Sequence, residues 1–365
     1  ACFPSGAGQR TGWVVSVPVF INGRYLSAPR TGVQRVVHEI VQALDAELQA
    51  RSERPSVTLL HPPGVSGLPP LTVIETREVA GPRGVLWEQT ALAWAARKGL
   101  LVNLANTAPI LARGHAMMVH DAQTRTHHAS YSPAFRLWYS VMQAVACRAA
   151  RYRLTVSQHS AEALAEAGLG SDWKVLHNGA EHILRVTPDE NALADLGLEK
   201  GRYVLSFAAA QPHKNVALLI DAFSRPALAD MDLVLVGARL PDGVSAGRAR
   251  LLGRVEDPAL RALYEGASAF AFPSLSEGFG LPPVEAMHCG CPVVVSKAGA
   301  LPEVCGDAAI KLPPRDVDAW ADAFVGLRDD AAKREALIAA GQVRAGELTW
   351  GATARRLLTI IGHPA

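Results

Sequence analysis

The sequence predicts an α/β protein of two doubly wound halves with parallel sheets facing each other across a cleft, and three observations carry that expectation. Short apolar runs alternate with helical patterns from Trp13 to about Gly179, the alternation restarts at Tyr203, and 365 residues is length enough for about two domains. The 49% hydrophobic and 19% charged content describes a chain that can bury a core, which excludes disorder and small disulfide- or metal-stapled scaffolds.

The first run is Val14 to Ile21, which Pro18 marks as an edge or interrupted strand. After the turn-rich stretch Asn22 to Gly32, the residues Val33, Val36, Val37, Ile40, Val41, Leu44 and Leu48 recur at helical spacing, so Val33 to Ala50 reads as one amphipathic helix. Val57 to Leu60, Leu71 to Ile74, Leu100 to Leu104, Met117 to His120 and Leu154 to Val156 read as buried strands, separated by helices such as Pro133 to Ala150. In the second half the strands are Tyr203 to Phe207, Leu233 to Val236, Leu251 to Leu252, Ala269 to Phe272, Val293 to Val295 and Ile310 to Leu312. Helices start at Asn215, Asp257, Pro282 and Asp316, with Asp257 and Pro258 as N-cap and first-position proline. The expected domains are 1–185 and 186–348, and the helix of 349–365 carries apolar residues that need a surface, on the first half or on the second, which its periodicity does not decide.

A net charge of +2 gives no long-range attraction for nucleic acid. The five cysteines, at 2, 147, 289, 291 and 305, contain neither a CxxC pair nor zinc-finger spacing, which points to a reducing, cytoplasmic setting. No run is long and apolar enough to span a bilayer, and the first dozen residues lack the regions of a secretion signal, so neither an integral membrane protein nor a secreted one is expected.

The densest chemical signal is PSLSEGFGLPPVEAMHCGCPVVV, Pro273 to Val295: a strand, a glycine-containing loop, a helix and another strand. The N–H groups of Gly280 and Leu281 at that helix start favour a phosphate, whereas Pro282 has no N–H to offer. Glu285, expected in the first turn, suits a ribose diol, and Glu277 before the loop suits a second polyhydroxyl group. Gly32, between the first strand and helix, would admit a diphosphate close to the backbone, where a Cβ is expected to collide. His120 ends an apolar strand at the cleft edge of its sheet, with Asp121 placed to fix its tautomer.

SEGFGLPPVEAM resembles the Glu-x7-Glu motif of retaining glycosyltransferases of family 4, which have the GT-B fold of two Rossmann-like domains. The resemblance extends in order through RTGVQRVVHEI (Arg30 to Ile40), MVHD (Met118 to Asp121), VLHNGAEH (Val175 to His182), PHKNVALLIDAF (Pro212 to Phe223), LLGRVEDPALRALYEGASAFAFPS (Leu251 to Ser274) and AGALPEV (Ala298 to Val304). INGRYLSAPRTGVQR, Ile21 to Arg35, is similar to the start of bacterial polysaccharide mannosyltransferases in that family.

The resemblance implies catalytic roles for His120, Lys214 and Glu277, and nucleotide-sugar contacts at Gly32, Lys214, Arg254, Val255, Glu277, Phe279, Gly280, Leu281 and Glu285. It implies no cofactor and no metal, since the favoured front-face mechanism uses neither a protein nucleophile nor a cation cofactor. The family's second phosphate-binding arginine is replaced, its usual positions being Ala208 and Ala209, and His213 or Arg254 is the expected substitute. Two DxD triplets, Asp230-Met-Asp232 and Asp316-Val-Asp318, read as turn and cap residues, and His127 and His128 lack metal-site spacing.

The implied activity is retaining transfer of a hexose, mannose from GDP-mannose first and a UDP-sugar next, to a saccharide or lipid-linked saccharide acceptor in bacterial polysaccharide or glycolipid synthesis. Helix 133–153 combines Phe135, Trp138, Tyr139 and Met142 with Arg136, Arg148, Arg151 and Arg153, which suits either an inner-membrane surface or a core helix with snorkelling arginines. The alternatives are a nucleotide-sugar epimerase or hydrolase of the same fold, and a catalytically silent scaffold.

Overall fold

The computed structural model describes residues 17–29, 31–122 and 133–363, with side chains from 137 onward in the last segment. Two all-parallel sheets form the frame. The first has the order β3-β2-β1-β4-β5-β6-β7, built from β1 (Val19–Asn22), β2 (Val57–His61), β3 (Glu75–Glu78), β4 (Leu100–Asn103), β5 (Ala116–Met118), β6 (Tyr152–Thr155) and β7 (Trp173–Val175). The second has the order β10-β9-β8-β11-β12-β13, built from β8 (Tyr203–Phe207), β9 (Asp232–Val236), β10 (Arg250–Gly253), β11 (Ala269–Phe272), β12 (Val293–Ser296) and β13 (Ile310–Leu312). In each sheet the strand order reverses beside the first strand, leaving a crevice at the carboxyl ends of the strands.

The helices that matter for the site are α1 (Gly32–Gln49), α2 (Pro133–Ala149), α3 (Gln158–Glu166), α4 (Val216–Ala222), α5 (Asp257–Gly266), α6 (Leu281–His288), α7 (Leu301–Cys305), α8 (Val317–Asp329), α9 (Ala331–Glu347) and α10 (Trp350–Ile360). α1 buries Val36, Val37, Ile40, Val41, Leu44 and Leu48, the stripe its spacing predicts. α10 lies on α1, and its Leu357 and Leu358 join the same apolar cluster that reaches Phe270 and Val284 of the second half. Gly179 makes the crossing of the connector and α10 possible, because a Cβ there would stand 2.1 Å from the Trp350 nitrogen.

Four expectations are corrected. β1 is central, not an edge, because Pro18 stops just short of the ladder and lends only its carbonyl, to Leu100 N–H. Residues 71–74 are not a strand: the Thr72, Val73 and Ile74 N–H groups all donate to the buried Asp45 carboxylate, and the strand follows as the exposed β3. β7 forms where no strand was expected. Asp257 is the first helical residue of α5 rather than its cap, and its carboxylate pairs with Arg35 of α1 across the cleft at 2.9 Å. Residues 1–16, Arg30, His127 and His128 lie outside the described residues, and of Phe135 and Arg136 no side chain is described. Among the described residues no helix is long and apolar enough to cross a membrane.

Candidate active site

A cavity of about 330 Å³ opens between the two halves, lined from the first by Gly32, Val33, His120, Asp121 and Asn178 and from the second by Lys214, Glu277, Phe279, Gly280 and Leu281. Of the residues expected at a site, Gly32, His120, Lys214, Glu277, Phe279, Gly280 and Leu281 line it. Arg254, Val255 and Glu285 do not.

Lys214 ends a tight turn (Pro212–Lys214) that exists because Asn215 adopts a left-handed backbone, φ 57°, and donates its side-chain amide to the Pro273 and Pro314 carbonyls. That turn places Lys214 Nζ 2.7 Å from Glu277 Oε1 and over the Phe272 ring. Lys214 is the only lysine or arginine among the described residues lining the cavity, with Ala209 nearby; neither Arg254 nor His213, the expected second cations, lines it.

The loop after Glu277 is shaped by glycine. Gly280 has φ 92° and a Cβ on it would meet Leu301 at 2.6 Å, so this residue turns the chain into α6. α6 starts at Leu281, one residue earlier than expected, with Pro282 and Pro283 following, so the Gly280 and Leu281 N–H groups are its free donors. Gly32 is the first residue of α1, and the space its Cβ would fill is open cavity with no protein atom within 4 Å. That open space beside the helix N-terminus is the room Gly32 leaves.

His120 is buried two residues beyond β5. Its Nε2 faces the Leu104 carbonyl at 2.8 Å, which requires a proton on Nε2 and leaves Nδ1 an acceptor. The Leu104 carbonyl, not Asp121, thus fixes the tautomer. Burial, opposed by that hydrogen bond, pushes the imidazole pKa down to about 4, so the ring is neutral at physiological pH.

Glu285 falls in the second turn of α6, beyond the first turn where it was expected, and points into the protein. Its Oε2 accepts from Tyr264 Oη at 3.2 Å, and its Oε1 lies 3.0 Å from His182 Nε2 without hydrogen-bond alignment. Burial and the Glu285 charge hold the Tyr264 phenol well above its ordinary range. The site also contains a residue that motif reading passed over. Asn178 is 2% exposed, lines the cavity, and its Oδ1 has no hydrogen-bond partner. Its place in the connector between the halves was the signal available.

The DxD triplets are structural. Asp230 pairs with Arg202 and Arg328, Asp232 with Arg250, and Asp318 with Arg225, while Asp316 caps α8 through the Ala319 N–H.

Two separate parallel sheets with such a cleft between their halves define the GT-B architecture, and residues 201–330 match the profile of the family described as glycosyl transferases group 1. The chain is 37% identical over 164 residues to an O-antigen chain mannosyltransferase B of Escherichia coli, a match covering 40% of this chain and 42% of that one. It is 30% identical over 281 residues to an MMP alpha-(1->4)-mannosyltransferase of Mycolicibacterium hassiacum, covering 72% of this chain and 67% of that protein. The Anabaena protein HepE, solved with UDP-glucose, superposes with a TM-score of 0.67 at 18% identity over 94% of this chain and 99% of that one. The chain belongs to the glycosyl transferases group 1 family. It spans less than half the length of the E. coli relative.

Proposed function

We propose that the chain is a retaining mannosyltransferase that draws on a nucleotide diphosphate sugar, GDP-mannose being the first donor to test, and extends a saccharide or lipid-linked saccharide in bacterial polysaccharide or glycolipid synthesis. The observation that carries the reading is one cavity between the halves that gathers Lys214, Glu277, His120 and the first turns of α1 and α6. The mannosyltransferase names of relatives support the sugar, and the UDP-glucose complex of a structural neighbour supports a nucleotide-sugar donor. In this reading residues 1–185 present the acceptor, 186–348 hold the donor, and 349–365 tie the halves.

The donor diphosphate takes Lys214 from Glu277 and rests on the N–H groups of Gly280 and Leu281 and the N-terminus of α1. Glu277, His120 Nδ1 and Asn178 Oδ1 accept hydrogen bonds from sugar hydroxyls. As the bond between C1 and the phosphate oxygen breaks, positive charge grows on the sugar ring, and the acceptor oxygen bonds to C1 on the same face. The acceptor proton passes to the leaving phosphate. Lys214 and the backbone N–H groups neutralise the leaving charge, so the reading needs no metal, and activity should survive chelation of divalent cations. Glu285 acts on the nucleotide through the position of α6.

One surface suits a membrane. On α2, Leu137, Trp138, Val141 and Val145 are exposed at helical spacing, while Met142, Ala146 and Cys147 fill the core on the other face. An apolar outer face beside Arg148 and Arg151 fits the anionic inner surface where lipid-linked acceptors lie.

The test is calorimetry with GDP, UDP and ADP, followed by transfer from the nucleotide sugar that binds to mannoside and lipid-linked mannoside acceptors. Diphosphate binding with acceptor-dependent product supports the reading. Nucleotide release or altered sugar without acceptor makes the protein a hydrolase or epimerase, and no nucleotide binding makes it a silent scaffold.

A further inference from the structure

We infer that Ser157, Ser160 and Glu303 are positioning residues that hold the loop after Glu277 in register with His120, and so set the closed geometry in which transfer occurs. The inference rests on the proposed function for its catalytic consequence, although the contacts themselves do not. His120 and Glu277 stand on different sheets, so neither sheet fixes the distance between them. Something must tie the loops together.

The tie is the N-terminus of α3. Ser157, fully buried, caps this helix by accepting the Ser160 N–H at 3.0 Å, and its hydroxyl donates to the Gly278 carbonyl of the other half at 2.7 Å. Ser160, one turn on, has its hydroxyl 3.0 Å from the His120 carbonyl and 3.1 Å from the Gly278 carbonyl. One proton is shared between two acceptors, one in each half, so the hydroxyl gauges the gap between the histidine strand and the glutamate loop.

The second half answers from α7. Glu303 Oε1 accepts the Gln158 N–H at 2.8 Å, Oε2 accepts the His159 N–H at 3.0 Å, and Oε1 also lies 3.0 Å from His177 Nε2. A carboxylate of one half thus fills the free donors at the helix end of the other, where the helix dipole favours negative charge. Gly278 completes the fit: a Cβ there would stand 2.6 Å from the His120 carbonyl oxygen and 2.9 Å from Asp121 Cβ. Ser157, Ser160 and Glu303 do not line the cavity.

The experiment compares the full chain with Glu303→Gln and the double variant Ser157→Ala/Ser160→Ala. Three quantities are read: GDP affinity by calorimetry, kcat and KM for transfer, and amide hydrogen exchange at residues 158 and 159. The double variant serves if Glu303→Gln does not fold. The expected result is a kcat lowered about ten- to a hundredfold, the size expected when reacting groups shift by an ångström or less, with donor KM and GDP affinity within about twofold of the parent. In Glu303→Gln the two amides should exchange at least about tenfold faster. A kcat within about twofold of the parent in both variants overturns the inference, and so does a fall in kcat matched by an equal fall in GDP affinity. If the parent transfers no sugar, the proposed function fails. The exchange measurement then still decides the tie, and unchanged protection overturns it.

Discussion

Nucleotide binding should compete with a contact already present, because Lys214 and Glu277 are 2.7 Å apart in the cleft. At that distance and an effective dielectric constant of about 20, their gross attraction is roughly 6 kcal/mol. Lys214 is 28% exposed, however, so screening and side-chain freedom reduce the net term to about 1 kcal/mol. Glu277→Gln releases the lysine, and GDP is expected to bind about fivefold tighter while transfer slows by about a hundredfold or more. Lys214→Ala removes a charged hydrogen-bond donor worth about 1.5–3 kcal/mol, so GDP should bind roughly ten- to a hundredfold more weakly. The double variant should recover part of that loss, since the uncompensated carboxylate is gone. Calorimetric titration of GDP into the four proteins at low and moderate salt measures all of this. A Glu277→Gln protein that binds GDP as weakly as Lys214→Ala would refute competition for the lysine.

Other outcomes follow from particular contacts. Asp45→Ala strands three backbone N–H groups that now share one buried carboxylate, and urea unfolding should show a loss of about 3 kcal/mol; a loss under about 1 kcal/mol would mean that segment 71–74 finds other partners. His115 and His120 are held neutral by burial at pKa values of about 4. The unfolded chain, near 6.5, therefore takes up protons first, and their contribution is complete above about pH 6.5 and lost progressively toward pH 4, by up to about 3 kcal/mol each. Thermal unfolding followed from pH 7.5 to 4.5 should show that decline, and a flat profile would refute it. Val141→Glu with Val145→Glu should abolish sedimentation with phosphatidylglycerol vesicles while leaving the thermal midpoint within about 2 °C, because both side chains face solvent; unchanged sedimentation removes α2 from any membrane surface.

The fold was legible where burial is periodic. The α1 stripe, the apolar strand runs and the restart near Tyr203 each follow from which side chains must leave water, and both sheets follow from their alternation. Legibility ended where a distant side chain overrides local preference. Leu71 to Ile74 has the residues of a strand, yet its N–H groups are claimed by Asp45 from α1, a partner 27 to 29 positions away that no window contains. β3 is the converse: Glu75–Glu78 is fully exposed and carries no apolar signal, because an edge strand needs only one paired neighbour.

The site divides in the same way. Spacing identified the loop and helix that carry Glu277, Gly280 and Leu281, because glycine and proline there answer to backbone geometry. It could not say which way Glu285 points. Seven residues separate the two glutamates, yet Gly280 turns the chain between them, so one faces Lys214 in the cavity and the other faces Tyr264 beneath it. Their division of labour is thus set by one left-handed glycine, whose φ of 92° and 2.6 Å clearance to Leu301 admit no side chain. Gly280→Ala should therefore disturb both glutamates at once. GDP affinity and kcat are expected to fall together in that variant, unlike the loss of kcat alone expected from Glu303→Gln, and a variant that lost only one of the two would show that the glutamates are set independently.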